Sequence, residues 1–223
     1  MAEFCAGAKA KLLRIKPVYI SNTKGVPREF MEGVIDTVKD IVVRANVKLP
    51  VKYFGDFNLG SGPYGSADWY VKQTWNKVRN QINARELLKL MISEPFQQNE
   101  KHYDIFVTDH DLWAGDDENN FVCGLTYYGF GTVQSIARLH LNRENFNTIT
   151  YHEMAHIFGT PNNNRKNISF AYGGGHCTDP YCSMQQSNIP GHPTIQTVTK
   201  NRIQKGNPYC ADCLQDLRNY FGK

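Results

Sequence analysis

The chain lacks an excess of one charge, a long apolar run, an internal repeat and any low-complexity tract. Lys and Arg total 25 against 21 Asp and Glu, a formal balance of +4 over 223 residues. That is too slight to draw in nucleic acid by charge alone. The basic residues are not gathered into one block either, and no nucleic-acid partner is expected. No stretch approaches the eighteen or so apolar residues that a membrane span requires, so no membrane partner is expected. Met1 to Lys11 is short, mixed and partly charged, unlike the apolar core of a secretory leader. A soluble, cytoplasmic protein is the expectation. Cysteine is also sparse, at six residues. In an intracellular chain Cys210-x-x-Cys213 reads as a metal pair rather than part of a disulfide framework. What remains is 41% hydrophobic and 12% aromatic, enough for a proper core in one large domain or two small ones.

Against this plain background one segment stands out. Residues 152 to 156 read His152-Glu153-Met154-Ala155-His156, with Gly159 three residues on. Positions four apart lie on one face of a helix, so both imidazoles can reach one metal ion. The carboxylate between them projects beside that ion, where it can take a proton from a bound water. Further on come His176-Cys177, then Cys182-Ser183-Met184, then Cys210-Ala211-Asp212-Cys213.

Taken together these residues resemble the archaemetzincin family of metallopeptidases, whose motif runs H-E-x-x-H-x-x-G-x-x-H-C-x4-C-x-M-x17-C-x-x-C. His152, Glu153, His156, Gly159, His176, Cys177, Cys182, Met184, Cys210 and Cys213 fall on it in order. Two insertions depart from it. Residues 160–175 number sixteen where the family has two, and residues 185–209 number twenty-five where it has seventeen. The first insertion leaves His192, and more weakly His140, as lesser candidates for third ligand, while the His-Cys doublet favours His176. The specific match covers about residues 120–213.

The resemblance implies an α/β (α+β) metzincin-like fold. A twisted mixed sheet with long helices would form an upper subdomain over residues 1–159, ending in the zinc helix. Residues 160–223 would form a small, irregular lower subdomain carrying the third histidine, the methionine turn and a four-cysteine zinc site. It also implies two zinc ions per chain: a catalytic one held by His152, His156 and His176, and a structural one held by Cys177, Cys182, Cys210 and Cys213. Three imidazoles leave a fourth zinc position open for water, whereas four thiolates close the coordination sphere. Glu153 would be the catalytic base. The implied activity is that of a zinc-dependent peptidase or aminopeptidase acting on a peptide or protein. Two other readings compete: a non-catalytic zinc-binding interaction module, and a nucleic-acid-binding zinc protein supported only by Lys200, Arg202 and Lys205. An intact Glu153 argues against the module, because a structural site has no need of a carboxylate there.

Elsewhere the pattern alternates between strands and helices. Leu12 to Ile20 and Val47 to Phe54 read as strands. Phe30, Met31, Val34, Ile35, Val38, Ile41, Val42 and Ala45 recur at helical spacing after Pro27. Residues 55–66 read as a glycine-rich loop. Asn83-Ala84-Arg85-Glu86 resembles a capping box opening a helix through Ile92. His102 to Thr108, Phe121 to Tyr128 and Thr132 to Leu141 read as strands, and Asn145 or Asn147 as the cap of the zinc helix. Gly124, Leu125 and Thr126 are candidates for an edge strand that pairs with substrate backbone. Tyr172 and Tyr181 are candidate oxyanion donors, with packing the commoner role. Cys5 and Cys123 are expected to be free thiols, and His102, His110 and His140 surface or hydrogen-bonded histidines.

Overall fold

Alternating β-branched and aromatic residues make Val18–Asn22 and Tyr103–Thr108 natural sheet strands, and in the computed structural model they are adjacent. The structure describes residues 14–60, 62–115, 121–139, 141–170, 174–188 and 191–222. In chain order the elements are β1 (Val18–Asn22), α1 (Arg28–Arg44), β2 (Val51–Gly55), α2 (Ala67–Thr74), β3 (Trp75–Asn76), β4 (Gln81–Asn83), α3 (Ala84–Ser93), α4 (Pro95–Asn99) and β5 (Tyr103–Thr108). There follow β6 (Leu112–Trp113), β7 (Gly124–Tyr127), β8 (Gly131–Ser135), α5 (Arg143–Ile157), β9 (Ile168–Ser169), β10 (His176–Cys177), α6 (Ile195–Lys205) and α7 (Ala211–Tyr220).

The main sheet has the order β2-β1-β5-β8-β7. Its strands pair in parallel except β7, which runs antiparallel to β8 at one edge. Phe30, Met31, Val34, Val38 and Ile41 of α1 pack with Phe146, Ile149 and Met154 of α5 against Val18, Ile20, Ile105 and Val107 on one face. Tyr70 of α2 and Leu87, Leu88 and Met91 of α3 pack with Phe106 and Val133 on the other. The first core continues into the C-terminal part through Cys177, Cys182, Met184, Tyr209, Cys213, Leu217 and Phe221. The α/β architecture with a mixed sheet and long helices is the one the sequence suggests.

Several boundaries differ for physical reasons. The helix expected after Pro27 forms with its apolar stripe buried. The capping box is real: the Asn83 side chain accepts from the Glu86 amide at 3.2 Å. The strand expected over 132–141 stops at Ser135, where Ile136 to Leu139 turn back with Leu139 N–H donating to the Ile136 carbonyl at 3.1 Å. The helix that carries His152 and His156 is capped by Asn142, not Asn145 or Asn147; its side chain accepts from the Asn145 amide at 2.9 Å. The region after residue 160 is more helical than its glycines suggest, since it holds α6 and α7. Leu12 and Leu13 of the first expected strand lie outside the described residues. Among the described residues no helix is long and apolar enough to cross a membrane.

Candidate active site and metal centres

Helix α5 presents His152 and His156 on one face, as their spacing requires, and ends at a left-handed Gly159 with φ of 67°. The glycine is needed twice over, because a Cβ there would also meet the Tyr128 ring at 2.8 Å. The chain then enters the inserted segment, whose Ile168–Ser169 strand pairs antiparallel with His176–Cys177. This hairpin returns His176 to the helix. Ring centroids of the three histidines lie 4.6, 5.2 and 5.2 Å apart, and ligand nitrogens of all three fall within 4.8 Å of one another. His152 Nδ1 is 2.8 Å from the Ser183 carbonyl, which turns its Nε2 to within 3.1 Å of His156 Nε2. Burial, reinforced by the neighbouring His152, holds His156 well below the ordinary imidazole pKa and His176 at about 3. Both therefore carry a free lone pair at neutral pH. A buried Nδ1 of His176 has no hydrogen-bond partner.

Glu153 sits beside this triad and is almost fully buried. Burial raises its carboxyl above the usual range, while His152 and the Thr126 hydroxyl pull it down. Thr126 Oγ1 donates to Glu153 Oε2 at 2.5 Å. The carboxylate lies against the bare backbone of Gly124, where a Cβ would meet Oε1 at 2.6 Å and Cγ and Cδ at 2.7 Å. The edge strand β7 therefore both borders the site and sets the position of Glu153. For Gly124→Ala we expect a correctly folded protein in which the Glu153 carboxylate has shifted to make room for the new Cβ. A crystal structure of the variant checks this, and an unmoved Glu153 side chain would contradict it.

The four cysteines form a second cluster, with their sulfurs also within 4.8 Å. All are buried, and Cys177 and Cys210 sulfurs lie 3.7 Å apart. Backbone amides of Asp179, Cys210 and Cys213 donate to Cys177, Cys182 and Cys210 sulfurs at 3.5, 3.5 and 3.4 Å. Arg165 Nη2 donates to Cys213 Sγ at 2.9 Å. Hydrogen bonding among the thiols pushes Cys177 and Cys210 down and Cys182 and Cys213 up. Four buried sulfurs this close together, ringed by N–H donors, match what a tetrahedral thiolate site needs before it takes up a cation.

One short segment ties the two clusters together. Cys182 supplies a sulfur, the Ser183 carbonyl orients His152, and the Met184 carbonyl accepts from the Cys177 amide at 2.9 Å. Met184 itself is buried in the core.

A cleft of about 460 Å³ opens at the triad, with Gly124, Leu125 and Thr126 of the edge strand and Gln185, Gln186 and Asn188 among its lining residues. Cys123, half-buried, lines it, and burial pushes its thiol up to about 11. Tyr181 is exposed and does not line the cleft, whereas Tyr128 does. His192 is not part of the triad. His140, Tyr172 and Cys5 lie outside the described residues. His110 is partly exposed, but His102 is buried between two carboxylates. Thr126 as the partner of Glu153, the Ser183 carbonyl and Arg165 were not foreseen in these roles. Ser183 carried a signal in lying between Cys182 and Met184, but Arg165, inside the insertion, had none.

No protein-family model matches the chain, and no curated protein matches it in sequence. In three dimensions it is similar to a crystal structure of a zinc-dependent peptidase from Methanocorpusculum labreanum. The TM-score is 0.58 at 19% sequence identity, over 90% of this chain and 99% of that one. The chain thus has the fold of a zinc-dependent peptidase.

Proposed function

We propose that this protein is a zinc-dependent metallopeptidase of the archaemetzincin kind that hydrolyses peptide bonds in a peptide or protein substrate. The observation that carries this reading is the convergence of three imidazoles beside a buried, hydroxyl-held carboxylate, under an edge strand and within one cleft. His152, His156 and His176 would hold the catalytic zinc, and Cys177, Cys182, Cys210 and Cys213 a structural one. The donor sets fit: neutral imidazoles leave a place for water, and four sulfurs close the sphere. Zinc, when bound, lowers the pKa of its water toward neutrality and polarises the substrate carbonyl.

The remaining chemistry belongs to the chain. Glu153 takes the proton of the attacking water on its free carboxylate oxygen, while Thr126 Oγ1 holds the other oxygen. The unpaired edge of β7 can hydrogen-bond an extended substrate backbone. Ser183 keeps the His152 ring from rotating.

Hydrolysis of a mixed peptide library, read by mass spectrometry, tests the proposal. We expect cleavage that 1,10-phenanthroline abolishes and added zinc restores. A zinc-replete protein that cleaves nothing across the library would favour a binding module instead.

A further inference from the structure

A second cavity, of about 400 Å³, lies on the opposite face of the sheet and shares no lining residue with the zinc cleft. On β5, Tyr103, Ile105 and Val107 join the core beneath α1 and α5, so Asp104 and Phe106 face the other way. Tyr19 is in register with Asp104, and Ser21 with Phe106, which puts all four on the face that carries this cavity.

The walls are aromatic. Tyr19 stacks on Phe96 at 5.6 Å and meets Phe54 edge-on at 5.1 Å, while Tyr70 lies 6.2 Å from Phe106. The mouth is apolar and open, with Phe54 48%, Leu59 85% and Phe96 47% exposed.

The floor is acidic. His102 Nε2 is 3.1 Å from Asp104 Oδ1 and 3.8 Å from Glu94 Oε1. His102 Nδ1, 2.5 Å from the Glu100 carbonyl, holds the ring in that orientation. Two carboxylates face one imidazole, and among the described residues no Lys or Arg lines the cavity. Tyr70 donates to Glu94, but Asp104 Oδ2 is buried with no hydrogen-bond partner. A buried carboxylate oxygen without a donor is costly, so a residue that lines the cavity keeps spare acceptor capacity. Burial also raises Glu94 to about 7, which agrees with a floor short of positive charge.

We infer that this cavity binds a primary ammonium group carried on an apolar, aromatic-sized body. The ammonium pairs with the Glu94 and Asp104 carboxyl groups that line the floor. The aromatic walls accept both the cation, over their faces, and the apolar body beside it. A bare divalent metal fits less well, because beyond the three floor residues the cavity offers mostly carbon rather than oxygen ligands.

The test is isothermal titration of the full chain near neutral pH with 2-phenylethylamine and with its neutral analogue 2-phenylethanol. We expect the amine to bind one site per chain at least about tenfold more tightly than the alcohol, on the scale of a charged hydrogen bond. Asp104→Asn, which keeps the side-chain shape, should remove that advantage and leave the alcohol unchanged. Phe96→Ala, at a half-exposed position whose ring packs on Tyr19 and His102, should weaken both probes, with the thermal midpoint read alongside. Peptide hydrolysis should be the same in wild type and both variants, so failure here and failure of the zinc site can be told apart. Equal binding of amine and alcohol would overturn the inference, and so would no saturable binding. A further zinc equivalent lost only in Asp104→Asn would overturn it in favour of a metal site.

Discussion

Glu153→Gln protein, loaded with zinc to the wild-type level, is expected to hydrolyse peptides at least about a hundredfold more slowly, the scale of a lost general base. The substitution keeps the volume and the hydrogen-bond acceptor that Thr126 Oγ1 reaches at 2.5 Å. It removes only the ability to carry a proton. The site supports so specific a loss because the side chain has little freedom: it is buried, held by Thr126 and pressed against the Gly124 backbone. A change in proton transfer should therefore appear without a change in fold or in the histidines. Zinc content and thermal midpoint are measured alongside the rate. Equal cleavage by the two proteins at matched zinc would make Glu153 a bystander and send the search for the base elsewhere in the cleft.

The second large effect separates the two clusters. Cys213→Ser should lower the thermal midpoint by roughly 10 °C or more, because structural zinc binding contributes folding free energy on the order of 10 kcal/mol. Cys213 is fully buried, joins the main core and receives the Arg165 guanidinium, so its loss would weaken the metal site and remove one of two partners of a guanidinium that also pairs with Asp216 at 3.0 Å. His156→Ala should lower the midpoint by no more than about 5 °C while abolishing hydrolysis. Its ring faces the cleft, and the helix beneath it is anchored by Phe146, Ile149 and Met154. Because Cys182, Ser183 and Met184 join the clusters, Cys213→Ser should also lose activity by loosening His152. Differential scanning calorimetry on both variants checks the ordering. Comparable melting losses would mean that the histidine cluster is as structural as the cysteine one.

Much of the candidate site was legible because its geometry is local or strongly typed. His152, Glu153 and His156 lie within one helical turn, so spacing alone fixes their common face. Gly159 is marked by the backbone conformation that it must adopt. The cysteine pairs are marked by composition. His176 was reached by its doublet with Cys177, although sixteen inserted residues lie between it and the helix. A two-stranded hairpin within the insertion closes that distance. What was not legible depends on contacts across the fold. Thr126 meets Glu153 only because β7 folds back beside α5, a pairing without a local sequence signal. Helix α2 was hidden behind a glycine-rich loop, and α6 by its polar, weakly periodic composition. His102 gave no hint of burial, because Glu94 and Asp104 are carboxylates of the kind that usually face water.

The central claim is that seven side chains divide into a three-histidine and a four-cysteine metal centre. Zinc per chain, measured by elemental analysis on freshly purified protein, tests it most directly. The account predicts two zinc ions in the wild type and one in His156→Ala. One zinc or none in the wild type, or two retained in His156→Ala, would contradict it.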